Sequence, residues 1–220
     1  MKKPAPAEAL DIHGPSGRLE AVLEDSPLGA AVGIGVVCHP HPQHGGTMNN
    51  KVAHTLARAF NRSGLAALRF NFRGVGKSEG EFGEGIGEVD DVLTVVQAAR
   101  DRFPGLPLWL GGFSFGAAMA VRAANAAGAA GLISVAPAAF RFAGQLDEQP
   151  AMPWLIVHGE DDELVPIEQS IEWVNGLEPG PELVVFPETS HFFHGKLVDL
   201  REAVISFIER YPSTETKKPG

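Results

Sequence analysis

The sequence predicts an α/β fold, with a mostly parallel sheet of about eight strands, helices on both faces and no large lid. Three observations lead to this prediction. Short apolar runs alternate with stretches of helical length along the chain, which is typical of parallel sheets. Several of these runs are uninterrupted, as in strands covered on both faces. Only about eighteen residues separate the predicted strands that end at Val135 and begin at Trp154, too few for a helical lid.

The length and charge of the chain limit what it can be. We expect one domain over residues 1–220, with frayed ends at about 1–8 and 213–220. A net charge of −9 argues against nucleic acid or an anionic membrane as partner. Cys38 is the single cysteine, so no disulfide can form within the chain. Pro-rich residues follow Lys2 and Lys3 where a signal peptide would be apolar, and we expect a cytoplasmic protein.

The predicted elements follow in order. A hairpin opens the chain, since Gly14-Pro15-Ser16-Gly17 separates two short amphipathic stretches. Its strands are Ala9–His13 and Arg18–Glu24, and the later strands are Ala31–Cys38, Ala66–Phe72, Leu106–Phe113, Gly131–Val135, Trp154–Val157 and Leu183–Phe186. Helices are predicted over Asn50–Arg62, Ile86–Asp101, the residues after Ser114, Ile167–Asn175 and Gly195–Arg210.

One turn stands out, because the strand that ends in Gly112-x-Ser114-x-Gly116 runs straight into an Ala-rich helical pattern. A serine at the apex of a sharp strand-to-helix turn has a strained backbone and an accessible hydroxyl. The flanking glycines remove Cβ atoms that would collide across so tight a turn. This pattern indicates a nucleophilic serine, although a glycine-rich turn with an incidental serine would look the same.

Polar residues also follow two later strands. The segment His158–Pro166 contains four consecutive acidic residues, and the segment Pro187–His194 contains two histidines. Catalytic groups of parallel sheets gather at the carboxyl ends of the strands. The chain order is therefore serine, acid, histidine, as in one of the known serine-hydrolase arrangements.

Taken together, these motifs resemble the α/β-hydrolases, and among them the small, lid-free bacterial serine hydrolases related to dienelactone hydrolase. The resemblance runs from about Leu19 to Arg210 and is carried by the segments His39–Asn50, Arg69–Ser78, Gly112–Gly116, His158–Pro166 and His191–Phe193. The wider superfamily often has Asp where this chain has Asn71. That residue is not catalytic there, so the departure does not affect the expected chemistry.

The resemblance implies that Ser114 is the nucleophile, His191 the general base and Asp162 the acid that orients it. Asp162 is preferred to Asp161 because it fits the Asp-x-x-Val-Pro spacing of the family, and we expect Asp161 and Glu163 to face solvent. His194 is the alternative base. The implied reaction is the cleavage of small carboxylic esters or thioesters through an acyl-enzyme intermediate.

The oxyanion of that reaction needs two backbone N–H donors. One is expected from Phe115, the residue after the serine. The other is expected from His41, because the prolines on either side of it have no N–H. Gln43, Gly45 and Gly46 remain alternatives. The candidate substrate-binding residues are Phe72, Arg73, Phe140 and Phe192.

Other chemistries remain open. His39, His41 and His44, with His54 nearby, would suit Zn²⁺ in type, but a mainly structural loop is preferred, and neither a metal nor a cofactor is expected. The sequence does not complete a P-loop at Gly76-Lys77-Ser78, since position 71 is not glycine.

A non-catalytic binding module, a peptidase and an acyltransferase are the alternative functions. The expected partner is a small ester or thioester, and a homodimer is left open.

Overall fold

The computed structural model describes residues 7–138 and 148–211. Its strands are β1 (Glu8–Gly14), β2 (Gly17–Glu24), β3 (Gly33–Cys38), β4 (Leu65–Phe70), β5 (Leu108–Phe113), β6 (Gly131–Val135), β7 (Trp154–Gly159) and β8 (Glu182–Phe186). Its helices are α1 (Lys51–Arg62), α2 (Ile86–Arg102), α3 (Phe115–Ala123), α4 (Ile167–Asn175) and α5 (Leu197–Glu209). A single turn of 3-10 helix lies at Pro42–His44.

All eight strands form one sheet in the order β1-β2-β4-β3-β5-β6-β7-β8. The hairpin β1-β2 is antiparallel and joins β4 in antiparallel register, whereas β4, β3 and the strands from β5 to β8 are parallel. The carboxyl ends of the parallel strands therefore meet at one edge of the sheet. The mostly parallel α/β architecture predicted from the sequence is confirmed.

Each face of the sheet carries its own apolar core. Helices α2 and α3 pack together on one face, where the core contains Leu110 of β5 and Met119 of α3. Helices α1 and α5 pack on the other, where the core contains Trp109 of β5 and Phe207 of α5. The central strands are buried on both faces, which explains why their sequences are continuously apolar instead of alternating.

The predicted elements differ from the structure mainly at their ends. Strand β4 ends at Phe70, so Phe72 lies in the loop after it and not in the strand as predicted. Strand β7 continues to Gly159, so His158 lies inside the strand, whereas the sequence predicts that it follows the strand. Both limits depend on which backbone groups find partners in neighbouring strands, and local sequence carries little of that information.

The described part of the connection between β6 and β7 forms no lid. Between β6 and β7, residues 136–138 and 148–153 contain no helix. Within the described ranges, none of the helices has the length and apolar character needed to cross a membrane. The expected fraying of the termini concerns residues that lie mostly outside the described ranges, although Glu8 already belongs to β1.

Candidate active site at the carboxyl ends of the strands

Ser114 occupies the turn between β5 and α3 in a backbone conformation that is rare for a residue with a side chain. Its φ is 55° and its ψ is −116°. The turn is held in place because the N–H of Ser114 donates to the carbonyl of Val135, at 2.9 Å. A Cβ at Gly112 would overlap the carbonyl of Gly116, and a Cβ at Gly116 would overlap the carbonyls of Cys38 and His39. The two glycines thus allow a strained turn, as the motif predicted.

Asp162 lies in the loop after β7, where four nitrogen atoms surround its carboxylate. Its Oδ1 accepts from the backbone N–H groups of Leu164 and Val165, at 3.0 and 2.7 Å. Its Oδ2 lies 2.7 Å from Nδ1 of His191 and 3.3 Å from Nε2 of His158. Burial raises the pKa of this carboxyl group, but the hydrogen bonds from the two histidines and Val165 outweigh burial and hold the pKa well below its usual range. Asp162 is therefore an ionised carboxylate.

His191 lies in the loop after β8 and is only 2% exposed. A carboxylate can only accept, so the Nδ1 that faces Asp162 carries the proton, and Nε2 has a free lone pair. Among the described residues, none hydrogen-bonds to this Nε2. The ring packs against Phe113, the residue before Ser114, with 4.8 Å between ring centroids. An imidazole in the tautomer of a general base thus lies against the serine turn.

The loops after β7 and β8 are fastened to each other by backbone hydrogen bonds. The N–H of Glu160 donates to Phe186, and that of Asp161 donates to Thr189, at 2.9 and 3.0 Å. Gly159 allows this approach, since a Cβ there would overlap the carbonyl of Thr189. Glu163 is exposed, as expected, and its Oε2 also accepts from the backbone N–H of His191 at 3.2 Å. These hydrogen bonds between the two loops fix the distance between Asp162 and the imidazole of His191.

The loop after β3 is fixed by His39, which is fully buried. Its Nε2 accepts from the backbone N–H of Phe72 at 3.0 Å, so Nδ1 carries the proton and donates to the carbonyl of Pro40 at 2.6 Å. Burial lowers the pKa of His39 to about 4, although the hydrogen bond to Pro40 opposes this shift. A metal ligand needs a free ring nitrogen, and both nitrogens of His39 are engaged. This geometry supports the structural interpretation of the loop.

His41 lies further along the same loop, in an aromatic cluster. Its ring stacks on that of His44 at 4.5 Å and lies 4.9 Å from that of Phe115. The side chains of His41 and Phe115, whose backbone N–H groups are the expected oxyanion donors, are thus in contact. Phe82, from the loop before α2, packs on both rings at 5.1 and 5.9 Å. Sequence analysis missed Phe82 because its glycine-rich loop shows no periodicity that would place it near the serine.

Of the three candidate substrate-binding residues that the structure describes, Phe192 is the one with a large exposed surface, 41%. Phe72 is fully buried against His39 and Phe115, so any effect on a substrate acts through its neighbours. Phe140 lies outside the described residues. His194, the alternative base, is exposed beside Phe192.

Arg73, the fourth candidate, is held by Asp91. Its guanidinium makes a two-pronged ion pair with this fully buried carboxylate, at 2.7–3.1 Å. Hydrogen bonding to Asp91 is the main cause that raises the pKa of Arg73. A substrate carboxylate would have to compete with this pair, which ties the loop after β4 to α2.

Asn71, where the wider superfamily often has Asp, uses both ends of its amide. Its Oδ1 accepts from the N–H of Met48, and its Nδ2 donates to Oε2 of Glu20, each at 2.8 Å. An aspartate could not donate to Glu20 and would place two carboxylates in contact. The amide of Asn71 therefore pairs with the carboxylate of Glu20, and its hydrogen bonds do not involve Ser114, Asp162 or His191.

Comparisons with known proteins identify the family of the chain. The family model of the serine aminopeptidases (S33) matches residues 41–145. An α/β serine hydrolase without a lid from Xanthomonas campestris is 40% identical, each chain covers all of the other, and the TM-score is 0.86. An α/β serine hydrolase homologue from Coxiella burnetii is 46% identical over 90% of this chain and 96% of that chain, also with a TM-score of 0.86. An uncharacterised protein of Rickettsia prowazekii is 28% identical over 206 residues, 89% of this chain and 86% of its own. The chain therefore belongs to the α/β-hydrolase superfamily, among its serine hydrolases without a lid.

Proposed function

We propose that this protein hydrolyses small carboxylic esters or thioesters through an acyl-enzyme formed on Ser114. The hydroxyl of Ser114 attacks the carbonyl carbon and gives its proton to Nε2 of His191. His191 passes that proton to the leaving alcohol or thiol, and Asp162 stabilises the imidazolium. Water, activated by the same imidazole, then releases the acid.

The observation that carries this proposal is the buried pair of His191 and Asp162 against the serine turn. The hydrogen bond of 2.7 Å between Nδ1 and Oδ2 fixes the tautomer that a general base needs. The contact between the rings of His191 and Phe113 brings this base to the residue next to Ser114. A fold retained only for binding would have no need of a buried ion pair in this position.

Two backbone N–H groups, those of Phe115 and His41, are proposed to stabilise the oxyanion. Phe115 begins α3, where helix N–H groups point towards a negative charge. His41 is supported by the contact of its ring with that of Phe115, which brings the second loop to the same place. Developing negative charge on the carbonyl oxygen would thus meet donors from two elements that the sheet holds fixed.

Small substrates are proposed because the site has an aromatic rim and no lid helix among the described residues. Phe192 on one side and Phe82 on the other offer apolar contact to a short acyl or alcohol group. With a net charge of −9, the protein is proposed to act in the cytoplasm on small molecules, without binding nucleic acid or membrane.

Turnover of short and medium nitrophenyl esters tests the proposal. We expect Ser114→Ala to lower turnover by about 10⁴-fold to 10⁶-fold, because the substitution removes the hydroxyl on which the acyl-enzyme forms. Ser63→Ala, at the end of α1, is the matched serine control. Fluorophosphonate labelling followed by mass spectrometry should modify Ser114 in the wild type. A folded wild type that neither hydrolyses esters nor takes the label at Ser114 would refute the proposal.

A peptidase is the second candidate, because the family model that matches residues 41–145 is that of serine aminopeptidases. The same serine, histidine and aspartate would serve amide cleavage. Aminoacyl nitroanilides distinguish the two reactions when assayed beside the nitrophenyl esters. Faster turnover of the anilides, lost in Ser114→Ala, would assign the site to peptides.

A further inference from the structure

His158 is a buried imidazole to which the proposed mechanism gives no role. It is fully buried near the end of β7. Its Nε2 lies 2.8 Å from the carbonyl oxygen of Val165 and 3.3 Å from Oδ2 of Asp162. Both oxygens can only accept, so Nε2 carries a proton, which it donates to Val165 while lying within ion-pair distance of Asp162. This single N–H reaches both ends of the turn formed by residues 162–165.

The other ring nitrogen of His158 is buried with no hydrogen-bond partner in the part of the chain that the structure describes. Leaving a buried polar atom unpaired costs about 1–3 kcal/mol, and neighbouring β7 positions carry apolar side chains without that cost. The unpaired nitrogen of His158 therefore has a cost, which the contacts of its other nitrogen must offset. Among the described residues, the polar contacts of its side chain are those with Val165 and Asp162.

His158 does not compete with His191 for the role of base. Both rings approach the same oxygen of Asp162, but His191 is the closer, at 2.7 against 3.3 Å. His191 also packs on Phe113, beside the serine, whereas the free nitrogen of His158 faces the protein interior. Oδ2 of Asp162 thus contacts two imidazoles, and of these the ring of His191 is the one that packs beside Ser114.

We propose that His158 is a positioning residue that holds Asp162 and limits how much of its negative charge reaches His191. This inference rests on the proposed function, in which Asp162 orients the base. The backbone donors of Leu164 and Val165 fix Oδ1, and His158 fixes the turn and Oδ2 from the opposite side. The carboxylate is then anchored through both oxygens, with His191 the remaining donor.

A direction follows for the pH dependence. Burial raises the pKa of Asp162, and the hydrogen bond from His158 is first among the contacts that lower it again. Without that donor more negative charge stays on Oδ2, which stabilises a positive charge on the neighbouring imidazole when the serine proton is transferred. In the described region, the charged or titratable side chains that contact this pair are His158 and Glu163, while Phe113 and Phe192 are neutral. The reaction should then require a higher pH.

The test measures the rate of fluorophosphonate labelling of Ser114 across about pH 5 to 9 in the full chain. The matched variants are His158→Gln and His158→Asn. A glutamine amide nitrogen reaches the place of Nε2, whereas the shorter asparagine places its amide near Nδ1. We expect the acid limb of the Asn profile to move up by about one pH unit, and the Gln profile to keep the wild-type limb.

His158→Phe, which keeps the ring volume and has no donor, replaces the Asn variant if that variant fails to fold. An acid limb that stays in place or moves down in the variants without the donor, or that moves equally in Gln and Asn, would overturn the inference. Absence of labelling in the wild type would instead refute the nucleophile itself. The two failures are therefore distinguishable in one experiment.

Discussion

The ends of β3 and β8 each present a buried histidine to the same edge of the sheet, but the two are bonded differently. His39 and His191 are 0% and 2% exposed, and each packs against a phenylalanine ring with 4.8 Å between centroids. Both nitrogens of His39 are engaged by backbone groups of its own and the next loop. His191 engages one nitrogen with a carboxylate, and its other nitrogen has no partner among the described residues.

This difference separates a histidine with both nitrogens engaged from one whose second nitrogen could take the proposed serine proton. A ring whose two nitrogens face a backbone N–H and a carbonyl is fixed as neutral, and it has no lone pair to offer. A ring whose Nδ1–H faces an ionised Asp162 can accept a proton at Nε2, because the carboxylate stabilises the cation. Burial alone, which the two histidines share, therefore does not distinguish the proposed base from the structural histidine.

The largest expected effect comes from removing the charge that distinguishes His191. In Asp162→Asn the amide would donate towards Nδ1 and favour the tautomer with the proton on Nε2. That tautomer cannot accept the serine proton, so we expect ester turnover to fall by about 10⁴-fold. Steady-state kinetics on a nitrophenyl ester measure this effect.

The exposed neighbour provides the control for that substitution. Asp161→Asn changes the same charge by the same isosteric replacement, one residue away, and should leave turnover close to that of the wild type. If the two substitutions have equal effects, the loss reflects net charge and not the tautomer, and the assignment of the acid is wrong.

The next largest effect is expected where the two regions meet, at Gly116. Its α-carbon lies so close to the end of β3 that a Cβ would overlap the carbonyls of Cys38 and His39. Gly116→Ala should therefore push the serine turn away from the loop after β3 and lower the free energy of unfolding by about 3 kcal/mol or more. Urea denaturation measures this change.

Gly176→Ala is the matched control, because the nearest atom to its added Cβ, the carbonyl oxygen of Trp173, is at an ordinary 3.4 Å. We expect its stability to stay within about 0.5 kcal/mol of the wild type. If Gly116→Ala is equally mild, the close approach between the serine turn and the β3 loop is not what holds the two regions together.

Much of the fold could be predicted because its signals are local. The apolar runs, the hairpin glycines and Asn50, whose side chain caps α1 by accepting from Val52 and Ala53, all act within a few residues. The strained turn at Ser114 is local too, since its two glycines lie beside it. The exact end of β7 was not predictable, because it depends on pairing with β8.

The contacts of the site were less predictable, because they join distant segments. The sequence placed His39 among possible metal ligands, and only its contact with Phe72, 33 residues away, shows that its nitrogens are used. The contact of Phe82 with His41 and Phe115 depends in the same way on loops that meet only after folding. Asp162 was chosen over Asp161 by family resemblance, and the structure pairs Asp162 with His191.

The smallest expected effect concerns the other histidine. Burial lowers the pKa of His39 to about 4, against an ordinary value of 6.5. Between these two values the unfolded chain binds the proton and the folded chain does not. Stability is therefore complete above about pH 6.5 and falls as the pH drops towards 4, by at most about 3 kcal/mol.

Replacing His39 with a side chain that does not titrate isolates this contribution. In His39→Gln the amide oxygen can still accept from the N–H of Phe72, so the loop keeps its anchor. Urea denaturation between about pH 7 and 4.5 should show a shallower loss of stability in the variant, because the carboxylates titrate alike in both proteins. Parallel curves would mean that His39 takes up its proton as readily when folded as when unfolded, and the contrast with His191 would then rest on geometry alone.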